Sequence, residues 1–217
     1  MRPYVIGIAG ASCSGKTSIA ESVKSRLEPR ETVIVAIDSY YIDLSHLRPE
    51  ERALHNFDSP ASIDFDLLLE QLRLLIAGEK ISMPVYRFDT HTRVPENEWI
   101  DRRLDMKEGK RAVIIIEGLH TFYRRDIRDL IDTLIFIDIT METSLSRRVE
   151  RDVRERGRDE AGVRRQFEET VVPMFEKHVL PAKRFADIII KGEEPVDESA
   201  ALIIDMILPV IDKTPYT

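Results

Sequence analysis

Residues 10–17 read Gly10-Ala11-Ser12-Cys13-Ser14-Gly15-Lys16-Thr17, with Ser18 following, and match G-x-x-x-x-G-K-[ST] in full. The chemistry this spacing permits is the holding of a polyphosphate. Glycines let consecutive backbone N–H groups converge on phosphate oxygens, and a helix starting at the end of the loop adds a favourable field for an anion. In such a loop the backbone from Gly10 to Ser18 cradles the phosphates. Lys16 reaches the β- and γ-phosphates, and the Thr17 hydroxyl is a ligand for Mg²⁺. The expected occupant is a nucleoside triphosphate. Cys13 takes a free position of the loop, where no reactivity is needed.

Holding a triphosphate does not say where its terminal phosphoryl group goes. No guanine-reading N-K-x-D element is present. A kinase of small molecules needs a base, a mobile arginine-bearing lid and an acceptor pocket, and each has candidates. Asp38, in Ala36-Ile37-Asp38-Ser39-Tyr40-Tyr41, follows a strand-like run. A carboxylate there can accept a hydroxyl proton. Glu117, in Ile115-Ile116-Glu117-Gly118, ends another such run and can ligate Mg²⁺ directly or through water. The lid candidate is 147–165, where eight arginines fall within nineteen residues of an otherwise acidic chain. Arg148, Arg151 and Arg158 could converge on transferring phosphate and acceptor. Arg147, Arg154 and Arg165 fit better on a solvent face, in i,i+4 pairs with Glu150, Asp152 and Glu155. The acceptor candidates are Asn56-Phe57-Asp58-Ser59-Pro60 and the run Pro84 to Arg93, PVYRFDTHTR. Together they offer aromatic planes and directed polar groups. Composition alone would leave His91 on a surface hairpin.

The elements that must position these residues follow from periodicity. Val5–Ile8, Val33–Ile37, Ala112–Ile116, Leu134–Ile137 and Ile188–Ile190 are short apolar runs, as strands covered on both faces should be. Helical patterns lie between them over 16–27, 64–77, 141–156, 164–180 and 198–211. Asp64 is a cap, Gly78 a stop, and Pro173 a break or kink. Alternation of strands and helices predicts a parallel sheet with helices on both faces. The polar and aromatic stretch 84–110 reads as a small hairpin excursion. The expectation is one α/β domain of the phosphate-loop NTPase type over 1–217. A net charge of −7 gives no reason to expect nucleic-acid binding, and a single cysteine excludes an intrachain disulfide. No apolar run reaches the ~18 residues of a membrane span. The opening MRPYVIGIAG enters a strand at once, without the pattern of a leader, so a cytoplasmic enzyme is expected.

Taken in order, GASCSGKT, IDSYY, NFDSPASID, PVYRFDTHTR, IIEG, SRRVERDVRERGRD and FADIII resemble the uridine kinases of the phosphoribulokinase/uridine kinase group, over about residues 4–191. The resemblance implies a five-stranded parallel sheet, an arginine-bearing lid and commonly a homotetramer; a dimer is the other homo-oligomer considered. It implies transfer of the ATP γ-phosphate to the 5′-hydroxyl of uridine or cytidine, a nucleoside substrate for pyrimidine salvage. By the same resemblance Asp38 is the catalytic aspartate, acting with Lys16. Asp58 and Arg148 bind the ribose hydroxyls. Tyr86, Phe88 and His91 form the base pocket beside Tyr41, Arg158 and Gln166 complete the nucleoside site, and Arg151 and Arg156 face the phosphates. Three stretches depart from the family pattern: 94–104 beside the base pocket, Glu117 to Tyr123, and Lys191 to Glu194 on the donor side. The alternatives are a kinase of a sugar phosphate or another small hydroxyl acceptor, and a non-catalytic nucleotide-binding regulator.

Overall fold

The β-branched runs become strands because their side chains pack on both faces of a sheet. The structure, a computed structural model, describes residues 2–105 and 110–213. Of the excursion expected over 84–110, residues 106–109 therefore lie outside the described residues, as do the extreme ends of the domain expected over 1–217. In chain order the elements are β1 (Tyr4–Gly10), α1 (Lys16–Leu27), β2 (Thr32–Ala36), α2 (Pro49–Ala53), α3 (Phe65–Ile76), β3 (Ile81–Met83), β4 (Tyr86–Arg87), β5 (Thr92–Arg93) and β6 (Ile100–Arg102). They continue as β7 (Val113–Glu117), α4 (Arg125–Arg128), β8 (Thr133–Asp138), α5 (Met141–Arg156), α6 (Glu160–Gln166), α7 (Val172–Met174), β9 (Ile188–Lys191) and α8 (Val196–Lys213).

Five strands form one parallel sheet in the order β2-β7-β1-β8-β9. Alternation along each strand divides the core. Val5, Val33, Val35, Ile114 and Ile116 pack towards α3, while Ile6, Ile8, Ile115, Ile135 and Ile137 pack towards α1 and α8. Each such side chain, fully buried, stabilises the fold by about 1.5–3 kcal/mol before chain entropy is counted. On α1 the buried face is Ile19, Ala20, Val23 and Leu27, at the spacing the sequence predicts. On α3 it includes Phe65, Leu68, Leu69, Leu72 and Leu75, and the Asp64 carboxylate caps Leu67 N at 3.2 Å.

Three expectations shift. Ile37 leaves the strand and opens a 3₁₀ turn, Ile37–Tyr40, which carries Asp38. The helix expected over 164–180 starts earlier, at Glu160 behind the Asp159 cap. Pro173 does not break it; π turns at Phe167–Val171 and Phe175–Val179 flank the proline. A wider turn takes up a ring that would otherwise crowd the preceding carbonyls. The excursion starts three residues earlier than expected, at Ile81, and has two stages. An antiparallel ribbon pairs β3 with β6, Ile81 opposite Arg102, and beyond it a hairpin pairs β4 with β5, Tyr86 opposite Arg93.

Candidate active site

Strand order decides what can meet. β2, β7 and β1 are neighbours, and in register Ile8 and Ala36 both lie beside Glu117. The segments leaving their carboxyl ends are the 3₁₀ turn with Asp38, the loop after Glu117, and the phosphate loop. In an open α/β sheet ligands collect at that edge. A cleft of about 530 Å³ opens there.

The loop side is shaped by its backbone. Gly15 sits at φ +94 before the first turn of α1, which has no side-chain cap and no acidic residue. The helix end is thus left for an external anion. Gly10, at φ +154, runs so close to β8 that a Cβ there would lie 2.5 Å from the Ile137 carbonyl oxygen. Gly10 and Ala11 support the loop from behind, while Ser12, Cys13, Ser14, Gly15, Lys16, Thr17 and Ser18 line the cleft. Lys16 Nζ donates to the Ala11 carbonyl at 2.7 Å, curling over the loop. Burial pulls its pKa below the usual lysine value. The buried Ser14 hydroxyl has no partner, as a group meant for a ligand oxygen would have none.

Opposite the loop stand two carboxylates. Glu117 accepts a hydrogen bond from the Thr17 hydroxyl at 3.0 Å. Burial raises its pKa, and the Asp38 charge adds to the effect. Asp38 is raised by burial too, against the opposing pull of Lys16, Arg151 and Arg156. A hydroxyl and a carboxylate oxygen at this separation are hard donors suited to Mg²⁺, which keeps several waters and takes few protein ligands. Among the described residues no group of three or more His, Cys, Asp or Glu side chains could hold a metal by itself.

The acceptor wall is aromatic. Tyr41 lies 5.2 Å from Tyr86 and 6.4 Å from Phe88, between ring centroids. His91, held at φ +54, stacks on Phe57 at 4.6 Å with 19° between the planes. Its pKa is lowered by burial and by the charges of Arg156 and Arg158, so the ring is neutral near pH 7. The Tyr86 hydroxyl is buried and has no partner. Asp58, 7% exposed, lies 3.7 Å from Arg148 Nη1. Behind it the buried His120 ring contacts the Asp58 carbonyl oxygen at 2.9 Å. Gln166 Oε1 accepts from Arg158 at 2.7 Å and from Arg148 at 3.2 Å. Arg151 and Arg156 face the same cleft.

Every residue expected in catalysis, nucleoside binding or metal binding therefore borders one cleft. Phe57, part of the acceptor stretch Asn56 to Pro60 but given no partner there, stacks on His91. Other residues that line the cleft were not foreseen. Arg147, placed by pattern on the solvent face, instead donates to the Gly192 carbonyl at 2.9 Å and lines the donor side with Gly192, Glu194 and Val196. Arg154 is exposed and paired with Glu150 and Glu155, as a solvent face requires. Arg93 had no assigned task. Its guanidinium binds the Tyr41 and Tyr40 carbonyls at 3.1 and 3.2 Å and Asp64 at 3.2 Å, stapling the hairpin to the turn that carries Asp38. A single arginine inside an aromatic run carries no signal of that reach.

Comparison with known proteins finds relatives over most of the chain. Residues 5–198 match the family model described as Phosphoribulokinase / Uridine kinase family. The chain is 40% identical over 190 residues to a uridine kinase of Chloroflexus aurantiacus, covering 88% of this chain and 87% of that protein. It is 39% identical over 188 residues to uridine-cytidine kinase B of Dictyostelium discoideum, covering 87% and 74%. Among solved structures, phosphoribulokinase from Rhodobacter spheroides superposes with a TM-score of 0.61 at 16% identity, over 90% of this chain and 74% of that one. That likeness concerns the fold. Among the described residues no helix is long and apolar enough to cross a membrane.

Proposed function

This chain belongs to the phosphoribulokinase/uridine kinase family, and from that premise we propose that it transfers the γ-phosphate of ATP to the 5′-hydroxyl of uridine or cytidine, giving UMP or CMP and ADP. The observation that carries the acceptor is where the hairpin's arginines point. A sugar phosphate brings a dianion and needs cations facing it. Arg87 is turned outward near Glu98, and Arg93 is committed to Asp64 and two carbonyls. The wall facing the cleft is instead Tyr86, Phe88, His91 and Phe57, which suits a neutral planar base.

In the reaction Asp38 takes the proton of the 5′-hydroxyl as its oxygen bonds to the γ-phosphorus, and the bond from that phosphorus to the β–γ bridging oxygen breaks. Lys16, Arg151 and Arg156 hold the charge that spreads over the transferring group. Asp58 and Arg148 orient the ribose, and Tyr41, Arg158 and Gln166 close the nucleoside site. The loop from Gly10 to Ser18 seats the triphosphate. Thr17 and Glu117 would hold Mg²⁺, which when bound neutralises β- and γ-phosphate charge. The domain acts as one unit, in the cytoplasm, and assembles as a homo-oligomer, a tetramer or a dimer. The exposed Leu202 and Met206 on α8 offer an apolar face for that assembly.

ADP release is to be measured over a panel of nucleosides and sugar phosphates. Uridine or cytidine should support turnover and ribulose 5-phosphate should not. Turnover of a sugar phosphate with none for any pyrimidine nucleoside would move the chain to the other branch of its family. Triphosphate binding without turnover of any acceptor would make it a regulator.

A further inference from the structure

Asp152 is wholly buried one turn before the carboxyl end of α5, and the pattern of the sequence placed it only in a surface ion pair. Its Oδ1 accepts from Arg151 Nε at 2.9 Å and lies 2.8 Å from Arg151 Nη2. Its Oδ2 accepts from Arg158 at 3.3 Å. Arg148 and Arg156, one turn away on either side, bring Nε to 3.7 Å from Oδ2 and Oδ1 respectively. The backbone carbonyl of Asp152 also receives the N–H groups of Gly157 and Arg158, the latter at 3.1 Å, where Gly157 turns the chain at φ +62. One residue thereby hydrogen-bonds two guanidinium groups, sits in ion-pair range of two more, and caps the turn that ends the helix.

Those four groups all line the cleft. Arg148 touches the Ser12 hydroxyl at 3.2 Å and stands near Asp58. Arg156 lies over the Phe88 ring at 5.2 Å, and Arg158 binds Gln166. Four cations packed this closely repel, and a buried carboxylate with no partner is costly. Each problem is the other's solution.

We propose that Asp152 is the positioning residue of the lid: it gathers Arg148, Arg151, Arg156 and Arg158 into the closed arrangement before substrates arrive. This rests on the kinase reading above. Asp152 does not touch the reacting atoms; it acts through the arginines. Pre-set donors need no rearrangement as charge develops, so their loss shows in turnover more than in binding.

The test is a double-mutant cycle of Asp152→Asn and Arg151→Ala, read as kcat and KM with ATP and uridine. Asp152→Asn should lower kcat on the order of 10²-fold, as removal of a charge-stabilising contact does, while the ATP KM stays within roughly 5-fold. The double variant should fall no more than about 3-fold below the worse single one, since groups that act as a unit are not additive. A kcat within about 3-fold of wild type for Asp152→Asn, or losses that multiply, would overturn the proposal. If Asp152→Asn cannot be purified folded, the same cycle is run with Asp152→Glu, which keeps the charge and displaces it by one methylene, with the same two outcomes deciding. A second readout needs no acceptor. Trypsin acting on the substrate-free protein should cleave after Arg154 and Arg156 about 10-fold faster in Asp152→Asn, because opening of the helix end sets that rate. Equal rates would count against the proposal even if wild-type protein phosphorylated no nucleoside, an outcome that would remove the kinase reading alone.

Discussion

The phosphate loop takes its contacts from consecutive residues, 10–18, whereas the acceptor wall and lid draw side chains from 38–41, 57–58, 86–91 and 148–166. On the function proposed above the loop works largely through backbone N–H groups, so its residue types need only permit a path: Gly15 at φ +94, Gly10 pressed against β8. The acceptor side works through side chains whose bearing depends on other side chains. Arg93 holds the hairpin, His120 holds Asp58, and Asp152 holds the arginines. Damage to the loop should therefore be local and chemical. Damage to the acceptor side should spread.

The sharpest break is at Asp38, where the two regions meet. Asp38→Asn keeps the shape and loses the proton acceptor, so kcat should fall about 10³-fold while the nucleoside KM changes little. A rise in KM alone would make Asp38 a positioning group. On the loop, Lys16→Ala should cost about 10²-fold in kcat and also weaken ATP, because the charge opposite the β- and γ-phosphates is lost. Wild-type turnover in that variant would remove the loop from the reaction. On the acceptor side, His91→Ala should lower kcat/KM for the nucleoside by about 2 kcal/mol, roughly 30-fold, and leave the ATP KM alone. A change in the ATP KM of similar size would show that the two regions are not separable in this way.

The smallest effect concerns stability and pH. Burial holds the His120 imidazole down at about 4. Its folded pKa is thus below the unfolded value near 6.5, and between those values the unfolded chain binds more protons. Stability is then fully present above about 6.5 and is lost as pH falls towards 4. Between pH 6.5 and 5.5 the loss is about 1 kcal/mol. Urea midpoints measured across that range should slope less in His120→Gln, whose amide can still reach the Asp58 carbonyl. Parallel slopes would mean that the acid sensitivity lies elsewhere.

Much of the fold was legible before any coordinates. The five apolar runs are the five strands of the sheet, within two residues at every end, because parallel strands buried on both faces have few other ways to satisfy both packing and hydrogen bonding. Helices α1 and α5 keep the limits read from their periodicity. The segment around Pro173 was harder. Proline's lost N–H signals a break, but packing of Phe167, Val171, Phe175 and Val179 against the body keeps the chain helical through wider turns. Arg147 was misplaced for a related reason. Helical periodicity says which residues share a face, and only the neighbouring loop at Gly192 says what that face meets.

By itself the sequence determined the phosphate loop, the alternation of strands and helices, and the residue types gathered for the acceptor. These are local properties: a glycine's dihedral freedom, a 2.0 or 3.6 period, a run of like side chains. The tertiary structure decided which strand lies beside which, and so brought Asp38 and Glu117 to the same edge as the loop. It turned Arg87 outward, committed Arg93 to the backbone, and buried Asp152 among four arginines. The physical reason is that a charge takes its meaning from its surroundings. A guanidinium or carboxylate has one formula, but its partner and its exposure are set by segments far away in the chain, and they determine whether it solvates a surface, staples a hairpin or faces a phosphate.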